Sequence, residues 1–147
     1  MGKKLLTKMA DELVESGLSQ VDSVHDRIER GKGVSYLGFE YGDDVFLCRA
    51  KEYCYKGLAP FGVEMVEHAM AEGAWLAIYY DDSTSIHVFE AAYVDENGAY
   101  KEGRSKRSEN RAYLELGLSD GVTLTEFLRG DRPSSLSPDD RALGEFF

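Results

Sequence analysis

Hydrophobic positions recur at helical spacing in three parts of the chain. Apolar residues spaced three or four apart run through residues 3–17 and again through 57–73, and a glycine ends each pattern. Residues 123–129 show a shorter pattern of the same kind, with Thr123 at the capping position. The spacing predicts helices over these three segments.

A first hairpin is predicted between the two longer helices, where aromatic and β-branched residues flank the turn Gly42-Asp43-Asp44. A three-residue turn would place Leu37 opposite Arg49 and Ser35 opposite Lys51, with these four side chains on one face. A two-residue turn would change these partners.

A second hairpin is predicted after the second helix. Residues 74–80 form a nearly unbroken apolar run, typical of a strand covered on both faces, and 85–94 supply the returning strand. Residues 112–117 alternate like a short strand, whereas 18–32 fit either helical turns or an edge strand. The order of elements predicts an α/β (α+β) fold in which one mixed sheet is flanked by helices.

Length and composition restrict the class of protein. A chain of 147 residues suits one domain, which we place at residues 1–130, followed by a loose tail at 131–147. No apolar run approaches the roughly 18 residues of a membrane span, so we expect a cytoplasmic protein without a membrane partner. Two cysteines and three scattered histidines lack zinc-ligand spacing, so we expect no bound metal.

The formal net charge of −10 opposes nonspecific binding to nucleic acid in an ordinary cytoplasm. Twelve Asp and fifteen Glu against eight Lys also fit a halophilic-type composition. Charges act only over about 3 Å at 1 M salt, so a local basic patch would then decide binding.

Basic residues cluster in three places. The first is the end of the hairpin, the second lies before it, and the third lies in a polar excursion at 99–111, just before a small strand–helix unit at 112–129. The clusters are Arg49 and Lys51; Arg27, Arg30 and Lys32; and Arg104, Lys106, Arg107 and Arg111. Each of these side chains could bind phosphate, or could only balance the many acids on a solvated surface.

The hairpin Gly33-Val-Ser35-Tyr-Leu-Gly38-Phe, turn, Val45-Phe-Leu-Cys-Arg49-Ala-Lys51 resembles that of the archaeal Holliday-junction resolvases in the PD-(D/E)xK nuclease superfamily. That family has G-x-D-hydrophobic-x-G, a turn, and an apolar strand ending in E-x-K, followed by a helix and two strands. The resemblance covers about residues 3–94. It implies a restriction-endonuclease-like fold, and it also implies a homodimer.

The residues at the catalytic positions differ from those of the family. Ser35 stands where the family has its metal-binding Asp, and Arg49 stands where it has the Glu of E-x-K. Lys51 matches, and Glu12 is a candidate for the acidic residue on the first helix. Mg²⁺ prefers carboxylate oxygens, so losing two acids and gaining a cation predicts a pocket that repels Mg²⁺ and attracts phosphate.

Three functions follow from these observations. The first is a degenerate nuclease that binds nucleic-acid phosphates, DNA rather than RNA, without cleavage and without a cofactor. The second is a Mg²⁺-dependent endonuclease that uses Lys51, Glu12 and a displaced carboxylate. The third is a dimeric structural or assembly protein. The candidate carboxylates for the second are Glu40 and Glu52, expected on the opposite face of the hairpin, and Asp43 and Asp44, at its far end from Lys51.

Overall fold

The computed structural model describes residues 2–21, 36–102 and 112–133 of the chain. In these ranges helices and strands alternate in the order expected of a mixed α/β protein. The elements are α1 (Gly2–Glu15), β1 (Ser19–Val21), β2 (Tyr36–Tyr41), β3 (Asp44–Lys51), β4 (Leu58–Gly62), α2 (Val63–Glu72), β5 (Trp75–Tyr80), β6 (Ser85–Phe89), α3 (Ala91–Asn97), β7 (Ala99–Glu102), β8 (Ala112–Gly117), a 3₁₀ turn (Leu118–Asp120), β9 (Val122–Thr123) and α4 (Leu124–Leu128).

The strands form two sheets. The larger has six strands in the order β1-β2-β3-β5-β6-β9, and the smaller has three in the order β4-β8-β7. Strands β3 and β5 are parallel, while every other described pairing is antiparallel. The chain leaves the larger sheet after β3, forms β4 and α2, and returns as β5. This arrangement confirms the predicted mixed α/β fold in a single domain, but the expectation of one sheet is wrong because β4, β8 and β7 form a second one.

Both faces of the six-stranded sheet are buried. One face packs against α1 and α4, with Met9, Leu13 and Phe127 among the core residues there. The other face packs against α2, α3 and the three-stranded sheet. Strand β5 is at the centre of this arrangement, and its side chains are buried on both faces, as its unbroken apolar run predicts.

The first hairpin closes with a two-residue turn. Tyr41 pairs with Asp44, and Gly42 takes a φ of 60°, which a glycine adopts without strain. The expected three-residue turn is therefore wrong by one residue, and Tyr36 rather than Leu37 lies opposite Arg49. Leu37 pairs with Cys48 and packs on the α1 face of the sheet.

The predicted helix over 57–73 starts too early. Residues 58–62 form β4, and the helix begins at Val63. Ala59 and Phe61 are both buried, so this segment alternates with the period of two that marks a strand. Burial of these two side chains against the larger sheet outweighs the helical spacing read across the same residues.

The returning strand predicted over 85–94 is also shorter than expected. It ends at Phe89, and α3 follows. The Glu90 side chain accepts a hydrogen bond of 2.9 Å from the Tyr93 amide and so caps the helix. The helix predicted over 123–129 is confirmed, with Thr123 and Glu126 forming a reciprocal capping box.

Three residues of the segment predicted as a tail lie within the described ranges. Arg132 forms an ion pair of 3.0 Å with Asp44, and its guanidinium lies 3.9 Å from the centroid of the Phe127 ring. Pro133 is buried. Arg132 also lines a cleft of about 210 Å³ at the turn end of the first hairpin. Residues 134–147 lie outside the described part of the chain.

Gly121 allows the 3₁₀ turn to approach β6 closely, which predicts a stability effect. A Cβ there would lie 2.5 Å from the Val88 carbonyl oxygen and 2.9 Å from the Phe89 ring. We expect Gly121→Ala to lower the free energy of unfolding by about 1–3 kcal/mol, measured by urea denaturation. Gly117→Ala is the matched control, since its Cβ would meet no atom closer than 3.8 Å. Equal stability of the two variants would contradict this account of the packing.

Candidate functional site

Arg49 and Lys51 lie at the carboxyl end of β3 on one face of the six-stranded sheet, and together they are called the cation pair below. Alternation along the strand gives them the same face as Leu47, which packs towards α2. Strand β5 ends beside them, with Lys51 paired to Tyr80. The cation pair therefore lies where the two sheets and the ends of two parallel strands meet.

The Arg49 side chain bridges the two sheets. Its Nη1 donates a hydrogen bond of 3.0 Å to the carbonyl oxygen of Pro60 in β4. Burial lowers the pKa of Arg49, and negative charge on Tyr80 would oppose that change. A guanidinium keeps its proton at any physiological pH, so a half-buried positive charge lies between the sheets.

Lys51 is also half-buried and adds a second positive charge. Burial lowers its pKa most, the neighbouring Arg49 lowers it further, and the Glu115 carboxylate on β8 acts in the opposite direction. The ion pairs found in the described ranges are Lys8–Asp81 and Arg132–Asp44, and neither includes the cation pair. Among the described residues, no carboxylate therefore forms an ion pair with the cation pair.

Tyrosine hydroxyls lie on the same face of the sheet. The Tyr80 hydroxyl donates to the Leu58 carbonyl at 2.9 Å, and burial raises the pKa of Tyr80. Opposite Arg49, the Tyr36 hydroxyl lies 2.8 Å from Nδ1 of His68 on α2. The sequence pattern indicates no site role for these side chains or for Glu115. A two-residue turn in the hairpin would have placed Tyr36 opposite Arg49.

Glu12 is not brought to the cation pair. It lies on α1, which packs on the other face of the sheet. There the pKa of the Tyr79 hydroxyl is raised to about 12 by burial, by its 2.8 Å hydrogen bond to Asp81 and by the charge of Glu12. The sheet therefore separates the expected catalytic partners Glu12 and Lys51.

The remaining predicted site residues lie outside the described ranges. They are Ser35, Arg27, Arg30, Lys32, Arg104, Lys106, Arg107 and Arg111. The structure brings together two of the predicted residues, Arg49 and Lys51, and these two form the candidate site.

Two of the candidate displaced carboxylates, Glu40 and Asp44, lie away from Lys51. The two-residue turn places Glu40 on the face that carries Arg49, not on the opposite face as expected, but Glu40 pairs with Val45. Val45 and Arg49 are four residues apart, which is about 13 Å along a strand. Asp44 is bound to Arg132 and Trp75. In the described ranges no three acidic, cysteine or histidine side chains are grouped to hold a metal.

Comparisons of the chain with protein-family models, curated proteins and solved structures found no match. No helix among the described residues is both long and apolar enough to cross a membrane. Function must therefore be inferred from the side chains themselves, and above all from the cation pair.

The cation pair predicts an unusual response to mutation. Arg49→Met keeps most of the side-chain volume and removes a charge that has no ion-pair partner in the described ranges. We expect the free energy of unfolding to stay the same or rise by about 1 kcal/mol, measured by urea denaturation. The control is Arg132→Met. It removes an ion pair and a ring contact, so it should lower the free energy of unfolding. A loss above about 2 kcal/mol in Arg49→Met would show that the bond to Pro60 is essential to the fold.

His87 lies near the site and should make stability depend on pH. Its ring centroid is 6.0 Å from that of Tyr80, and its Nε2 lies 3.1 Å from the Ser85 hydroxyl. Burial lowers the pKa of His87 below its ordinary value of 6.5, and the charge of Glu126 opposes the shift. Between the lower pKa of His87 in the folded protein and its ordinary pKa in the unfolded chain, the unfolded chain binds more protons than the folded chain.

Stability from this group is therefore complete above about pH 6.5 and is lost as the pH falls towards the lower, folded pKa. We expect the free energy of unfolding to fall less in the His87→Gln variant than in the natural protein when the pH is lowered from neutral to mildly acidic. Denaturation curves of the two proteins at each pH measure this difference. Other titrating groups are shared by both proteins and cancel in the difference. Parallel pH profiles for the two proteins would show that His87 titrates normally in the folded state.

Proposed function

We propose that this protein binds the phosphates of nucleic acid, DNA in preference to RNA, and does not cleave them. The observation that carries the proposal is the cation pair, two half-buried positive charges on one face without an ion-paired carboxylate in the described ranges. The element order supports a degenerate nuclease of the resolvase type. Helix α1, the hairpin β2–β3, helix α2 and strands β5 and β6 follow in the order that the resemblance implies, with β1 and β4 as additional strands.

Arg49 has the donors that a phosphate needs. A guanidinium carries five N–H groups, and the Pro60 carbonyl accepts from one nitrogen, Nη1. The remaining N–H groups can donate to phosphate oxygens while the bond to Pro60 holds the plane of the guanidinium. Lys51 adds a point charge beside it. A phosphate would also supply an ion-pair partner, which neither residue has among the described side chains.

The same charges oppose a metal-dependent mechanism at this position. Two unit charges 4 Å apart interact by about 4 kcal/mol near a protein surface, so each cation would repel the doubly charged Mg²⁺ by about 8 kcal/mol at that distance. Carboxylate ligands would have to overcome this repulsion, and no three acidic, cysteine or histidine side chains of the described residues are grouped to hold a metal. Phosphate binding without cleavage is therefore favoured over the endonuclease. The homodimer stays a prediction from the resemblance.

Binding to labelled DNA tests the proposal. We expect fluorescence anisotropy with single-stranded, duplex and four-way-junction DNA to show an affinity that falls with added KCl. Lys51→Gln should weaken binding roughly tenfold and reduce the slope of log affinity against log salt by about 1. Arg49→Met should act in the same direction. RNA of the same sequence should bind more weakly than DNA.

Arg129→Gln is the matched control because it makes the same change in net charge. Arg129 is exposed at the end of α4, in the layer on the other face of the sheet. Comparing variants at each salt concentration cancels the repulsion from the net charge of −10. Absence of binding at low salt, or an equal loss in Arg129→Gln, would contradict the proposal.

Incubating the same DNA substrates with Mg²⁺ or Mn²⁺ tests the absence of catalysis. We expect every substrate to stay intact. Cleavage that disappears in Lys51→Gln would instead assign an active site to this position.

A further inference from the structure

The loop that follows Lys51 exposes two tyrosines. Residues 52–57 join β3 to β4 and are called the tyrosine loop here. Tyr53 and Tyr55 are 58% and 57% exposed, whereas Tyr36 and Tyr80 beside the cation pair are each 1% exposed. The two exposed rings therefore lie on a loop that begins immediately after Lys51 in the chain.

The backbone of the tyrosine loop is held at both ends. At its start, the carbonyl oxygens of Lys51 and Glu52 accept hydrogen bonds of 2.9 Å from the amides of Asp81 and Asp82. At its end, the Gly57 carbonyl accepts one of 2.9 Å from the Leu118 amide. Rings presented on an anchored backbone lose less conformational freedom when a ligand binds.

Charges around the loop favour contact through ring faces. Glu52 and Asp82 are exposed carboxylates at its base and would repel a phosphate there. The Lys56 amine lies 5.2 Å from the centroid of the Tyr55 ring, at a distance typical of a cation–π contact. The loop thus offers aromatic surface, while the cation pair offers positive charge.

We propose that the tyrosine loop stacks the bases of single-stranded nucleic acid whose phosphates contact the cation pair. This inference rests on the proposed function and narrows its ligand to unpaired nucleotides. Bases in a duplex are already stacked, whereas unpaired bases leave both ring faces free. Four residues separate Lys51 from Tyr55, at most about 14 Å of extended chain, which a few nucleotides can span.

Binding of matched oligonucleotides tests the inference. The probes are a labelled single strand, its duplex, and an abasic strand of equal length that keeps the phosphates and lacks the bases. We expect the natural protein to bind the single strand more tightly than the other two. The double change Tyr53→Leu and Tyr55→Leu should reduce that affinity roughly tenfold or more, and change affinity for the abasic strand and duplex less than twofold.

Two controls separate ring stacking from other effects. The double change Tyr53→Phe and Tyr55→Phe keeps the rings and should retain most of the affinity for the single strand. Tyr41→Leu alters another exposed tyrosine, at the turn end of the first hairpin, and should leave the affinity for the single strand unchanged. Thermal unfolding should show that all variants fold, since these side chains are exposed.

The outcomes distinguish this inference from the proposed function. If the natural protein binds none of the probes, the proposed function fails and the stacking role fails with it. A second possible result is that the natural protein and the leucine variant each bind all three probes with the same affinity. That result would support phosphate binding and would contradict base stacking by the tyrosine loop. If the leucine variant instead alters the mass in light scattering and leaves binding unchanged, the tyrosines contact a second copy of the chain, and the inference is also wrong.

Discussion

The pairing of Tyr36 with Arg49 determines which side chains share each face of the larger sheet. Side chains alternate along a strand, so a shift of one residue would exchange the two faces of β2 relative to β3. The two-residue turn at Gly42 fixes this pairing. In this arrangement Cys48 packs in the core beneath α1, and Arg49 lies beside the smaller sheet. The placement of Tyr36, rather than Leu37, beside Arg49 depends on this pairing.

Burial on both faces of the sheet explains why the charged site lies at its end. The central strands are covered by helices on one side and by helices and a second sheet on the other. No charged side chain of the described residues is fully buried. Half-buried charge is tolerated at the carboxyl ends of β3 and β5, where carbonyls and hydroxyls such as those of Pro60 and Tyr80 are available.

Much of the fold could be predicted because its signals are local. The apolar run at 74–80 and the helix capped by Thr123 each carry their own pattern. The start of α2 was missed because residues 58–62 fit both helical and strand spacing until burial of Ala59 and Phe61 decides. The cation pair was predicted from its positions on one strand. The position of Glu12 across the sheet depends on how α1 packs, which no short motif encodes.

The hydrogen bond from Arg49 to the Pro60 carbonyl joins β3 of the larger sheet to β4 of the smaller one. Under the proposed phosphate binding, the same guanidinium would contact the anion and this carbonyl, so binding and the docking of the two sheets would be coupled. Because such coupling is reciprocal, an anion that strengthened the contact between β3 and β4 by a given factor would bind more weakly by that factor if the contact were lost. The smaller sheet would then act as a lever on affinity, although none of its own side chains need touch the ligand.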